Sequence, residues 1–80
     1  MKEVKQRTND ATFELNRKLR DAYQSLPLSI YSQVRDELCK ECYWSNVTFY
    51  SRINSVRPVK GIEIPVIIKV FEKYGVKVFS

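Results

Sequence analysis

The stretch Leu38-Cys39-Lys40-Glu41-Cys42-Tyr43-Trp44-Ser45-Asn46-Val47-Thr48-Phe49-Tyr50-Ser51-Arg52-Ile53-Asn54-Ser55 decides how this chain is read. Its first half closes an apolar series, Ile30, Val34, Leu38 and Cys42, at strict four-residue steps with Tyr31 alongside. That period predicts one buried face of a helix, with Gln33, Asp36, Glu37 and Lys40 on the other side. The count then restarts at Ser45, a residue suited to capping a new helix, and Phe49 and Ile53 follow as its inward anchor. Asn46, Val47, Tyr50, Ser51 and Asn54 are left to face elsewhere. Two helices are therefore joined by a very short turn.

Working outward, the same tests predict two more helices. Leu15, Leu19, Ala22, Tyr23 and Leu26 share a face upstream, on a helix starting near Asn9 or Asp10 and stopped by Pro27. Ser29 is the expected cap of the helix that runs to about Cys42. Downstream, residues 54–58 read as a turn blocked by Pro58. A fourth helix is expected from Ile62 to Tyr74, with Ile64, Ile67, Ile68 and Phe71 as its core stripe. Pro65 lies in its first turn, and Gly75 is placed to stop it. The tail from Val76 alternates weakly and suggests a short C-terminal strand. The expected fold is all-α: a single domain over residues 1–80, four helices including a helix-turn-helix, with residues 1–8 frayed.

Composition narrows the function. The chain has 80 residues, enough for one modest core and too few for a cleft between domains. No apolar run approaches the roughly 20 residues of a membrane span, and the polar N-terminus has no signal-peptide core. A cytoplasmic location is the expectation. Fourteen Lys and Arg against nine Asp and Glu give a net charge of +5, which favours polyanionic partners. Placement says more than the total, because from Tyr43 to Ile62 the chain carries Arg52, Arg57 and Lys60 and no acid at all.

Two cysteines and no histidine exclude further chemistry. Cys39 and Cys42 supply two of the four ligands a structural zinc needs, so no metal is expected. They read as small buried apolar residues. There is no histidine to act as general base, no glycine-rich phosphate loop and no isolated pair of carboxylates. No enzyme activity, cofactor or small-molecule ligand is predicted.

The run from Leu38 to Ser55 resembles the helix-turn-helix of lambda-repressor-like and Cro-type regulators. Leu38, Ser45, Thr48, Phe49, Ile53, Asn54 and Arg57 match that pattern, and the similarity extends from about Val34 to Val76. Tyr43 departs from it at a turn position where glycine is frequent, as does Ser55 after Asn54. Cys39 stands where a small alanine is usual. The resemblance implies a double-stranded DNA partner and a transcriptional regulator of phage or mobile-element type. It places Asn46, Val47, Tyr50 and Ser51 at base edges, and Ser45, Arg52, Asn54, Arg57 and Lys60 at phosphates. A homodimer is expected, since one short helix reads few base pairs; the Val76–Phe79 tail is the first candidate for its contact. Trp44 is expected to fill the core beneath the turn, with a stacking or partner-binding role as its functional alternative. The competing function is a protein-interaction module, an antirepressor or accessory subunit on the same fold, motivated by Tyr43, Trp44 and Tyr50.

Overall fold

In the computed structural model, residues 13–79 are described, and they form four α-helices and two single 3-10 turns. Helix α1 spans Glu14–Gln24, α2 Tyr31–Cys42, α3 Asn46–Ile53 and α4 Ile64–Glu72. The 3-10 turns, Leu28–Ile30 and Gly61–Glu63, lead directly into α2 and α4. None of these helices is long and apolar enough to cross a membrane.

Helix α1 begins later than its apolar pattern predicts. Phe13 occupies the cap position without a side-chain bond, and its carbonyl accepts from the Arg17 amide at 3.0 Å. Asn9 and Asp10, expected to cap it, lie outside the described residues, as does the segment 1–8. Its end is as expected: Leu26 is buried, and Pro27 turns the chain into an extended conformation. Ser29 does not cap α2. It sits within the 3-10 turn, which starts at Pro27 through an Ile30 amide bond to the Pro27 carbonyl.

Apolar spacing then sets the packing. Leu19 from α1, Val34 and Leu38 from α2, Phe49 from α3, and Ile67 and Phe71 from α4 are fully buried in one cluster. Helix α2 lies chiefly on α4, and α1 on α3. The α2–α4 seam ends in a polar clamp, where Glu37 accepts from Lys73 and, at 2.6 Å, from the Tyr74 hydroxyl. Tyr23 joins α1 to α2 and α3, its ring 4.6 Å from Tyr31 and 5.3 Å from Phe49. Among the described residues no strand forms. Val78 instead enters the core, and Phe79 packs on it half-buried.

Helices α2, α3 and α4 close in the same manner. The residue after each last turn is left-handed: Tyr43 at φ +58°, Ser55 at +59° and Gly75 at +75°. The next amide reaches back five residues, Trp44 to Cys39, Val56 to Ser51 and Val76 to Phe71, at 2.8, 2.8 and 3.1 Å. These bonds satisfy carbonyls that a helix end would otherwise orphan. Only one of the three left-handed positions is glycine. Tyr43 and Ser55 thus adopt the conformation that glycine favours, at a steric cost of roughly 1–2 kcal/mol each.

Candidate nucleic-acid interface

Helix α3 is held by its ends and its inner face. Ser45 is extended and accepts from the Thr48 amide at 3.2 Å, the bond expected of an N-cap. Phe49 and Ile53 anchor the helix in the core. The opposite side is open: Asn46, Val47, Tyr50 and Asn54 are exposed, with Val47 at 77 %. Ser51 is half-buried, and its hydroxyl donates to the Val47 carbonyl at 2.9 Å, which leaves it only acceptor capacity toward a base edge. Asn46, Val47, Tyr50 and Ser51 therefore share one outward side of the helix.

Behind α3 the chain forms the loop that carries Arg57 and Lys60, both exposed. Asn16 of α1 positions it. This side chain is completely buried, and its Nδ2 donates to the carbonyls of Arg52 and Arg57, each at 2.8 Å. Its Oδ1 accepts from the Val59 amide at 3.0 Å. One buried carboxamide thus joins the end of α3 to both sides of Pro58 and pairs with one helix and two loop backbone groups. Between loop and helix lies an open groove of about 810 Å³, bordered by Val47 and Ser51 on one side and Arg57 and Lys60 on the other. Tyr43 stands at its edge, 94 % exposed.

The floor of the groove is a buried polar network that the linear pattern did not reveal. Glu63 accepts from Arg52 Nε at 3.2 Å, Arg52 Nη2 at 3.1 Å, Trp44 Nε1 at 2.8 Å and the Lys60 amide at 2.9 Å. Burial pushes the Glu63 carboxyl up. The Arg52 fork, the Lys60 amide and the Trp44 indole more than offset this and hold it below the usual glutamate value. The Arg52 guanidinium also lies 5.6 Å from the centre of the Trp44 ring.

This network corrects one expectation and meets another. Arg52 is not available as a phosphate contact, being only 6 % exposed with its fork turned inward onto Glu63. Trp44, at 8 % exposed, fills the core beneath the turn as expected, which leaves little of its ring for the stacking or partner-binding alternative. A sequence signal for Glu63 did exist, since an acid three residues after Lys60 at the start of a helical segment fits the reaching-back half of a capping box. Asn16 had no such signal.

The cysteines are chemically quiet. Both are half-buried and free. Burial first, and then the Glu63 charge, pushes the Cys42 thiol up to about 12; burial likewise raises Cys39. Both remain thiols at neutral pH. Among the described residues no group of three or more His, Cys, Asp or Glu side chains is arranged to hold a metal ion. Comparison with family models, with curated proteins and with solved structures returned no match to this chain.

Proposed function

We propose that this chain binds double-stranded DNA, with α3 in the major groove, and serves as a transcriptional regulator. The observation that carries the reading is the outward side of α3. An exposed, acid-free row of Asn46, Val47 and Tyr50 runs along it, and from Val47 and Ser51 an open groove leads across to Arg57 and Lys60. The width of the major groove, about 12 Å, admits one helix, while cations on a flanking loop neutralise the adjacent backbone. Ser45 and Asn54, exposed at the two ends of α3, complete the expected phosphate set with Arg57 and Lys60. An eight-residue helix spans few base pairs, so high specificity calls for two copies on half-sites about 34 Å apart.

The competing protein-interaction reading is weakened by the burial of Trp44, its most suitable anchor. Binding to a random duplex pool across a salt series separates the two. DNA binding predicts retention that falls steeply with salt, and Arg57→Ala or Lys60→Ala should each lower the log-log slope by about 0.9. Selection and sequencing of the retained duplexes should return a defined, two-fold symmetric site. Absence of retention at low salt would reject the reading in favour of a protein partner.

A further inference from the structure

The outward side of α3 differs from a generic basic surface in the bases its chemistry can address. Guanine is read mainly by arginine or lysine, through paired bonds to O6 and N7. Helix α3 carries one cation, Arg52, which is buried with its Nε and Nη2 committed to Glu63. What remains is neutral. Asn46, Val47, Tyr50, Ser51, Asn54 and Val56 border a shallow depression of about 370 Å³. Val56 extends the exposed apolar patch begun by Val47, and the half-exposed Tyr50 ring meets Phe49 edge-on, their centres 5.1 Å apart. The Asn46 carboxamide has only a long contact from the Cys39 thiol, at 4.0 Å, so both its amide hydrogens are available.

Carboxamides pair with adenine N6 and N7, and apolar groups cover the thymine methyl. We infer that the base pairs beneath α3 are A·T: Asn46 reads adenine, and Val47 with Val56 packs on thymine methyl groups. The inference rests on the DNA-binding reading above and assigns the class of site that reading takes.

The test is selection from a random duplex pool, followed by competition with the selected duplex carrying deoxyuridine in place of thymidine beneath α3. This replacement removes only the major-groove methyl. The expected result is A·T at the central positions of each half-site and a loss of about fourfold in affinity per methyl removed. Asn46→Ala, a change at an exposed position, should relax the adenine preference at one position by about 5- to 150-fold. Salt-sensitive binding with guanine selected beneath α3, or with no base preference, would overturn the inference and leave DNA binding standing. A·T selection indifferent to uracil would also overturn it, because groove shape would then be what is read. Failure to retain any duplex would reject both.

Discussion

Tyr43 and Ser55, just past the ends of α2 and α3, hold a conformation that glycine adopts without strain. Replacing either by glycine relieves roughly 1–2 kcal/mol of steric cost but adds unfolded-chain entropy worth about 0.5–1 kcal/mol. The net expectation for Tyr43→Gly and Ser55→Gly is stabilisation by about 0.5–1 kcal/mol each, or roughly 2–8 °C in Tm. Thermal unfolding checks it, and no gain at Tyr43 would mean that its ring contributes to folding despite its exposure. Protonation at Glu63 and Glu37 gives a second expectation. Both carboxylates are held below their ordinary values, Glu63 as argued above and Glu37 by hydrogen bonds from Lys73 and Tyr74. The unfolded chain then binds protons more readily than the folded one. Stability from these groups should be fully present above the unfolded value of about 4.3 and decline as pH falls through their lower folded values. Urea midpoints between pH 7 and pH 2 would show this, and for Glu63→Gln the acid-side decline should be shallower.

At the scale of elements, the reach of each interaction explains what could be read from sequence. Helices α2 and α3 were legible because their signals are local: four-residue apolar steps, then Ser45 beside its own helix. The outward row on α3 followed from the same period. The loop was not legible. Its geometry depends on Asn16, whose partners Arg52, Arg57 and Val59 lie 36, 41 and 43 residues away. Arg52 was misjudged for a related reason, since charge counting cannot show which cation meets a carboxylate after folding. Asn16→Ala should leave the Val59 amide unpaired and release the loop from α3. A loss of about 2–3 kcal/mol in stability is expected. Because the loop would carry Arg57 and Lys60 less rigidly, DNA affinity should fall for all sequences alike, with base preference unchanged. A change in preference instead would mean that Asn16 sets the pose of α3 rather than that of the loop.

The molecule as a whole has a thin margin. Eighty residues at roughly 0.05–0.15 kcal/mol each give about 4–12 kcal/mol of net stability. Removing one partner of a buried ion pair costs about 3–5 kcal/mol, a large share of that total. Glu63→Ala should therefore leave much of the chain unfolded at room temperature by far-ultraviolet circular dichroism. A fully folded variant would show that solvent reaches Arg52. The same network ties Trp44 beneath the turn, Arg52 on α3 and the Lys60 amide in the loop to a single carboxylate. Turn, helix and loop are thereby presented as one surface, the property a groove-binding element needs.

That shared surface is the central claim, and amide chemical shifts recorded during titration with duplex DNA test it most directly. The account predicts that Ser45 to Ser51 and Arg57 to Lys60 move together, while the exposed side of α1 around Arg20 and the tail around Lys77 stay still. Shifts confined to α4 and the tail, or no shifts at low salt, would contradict it.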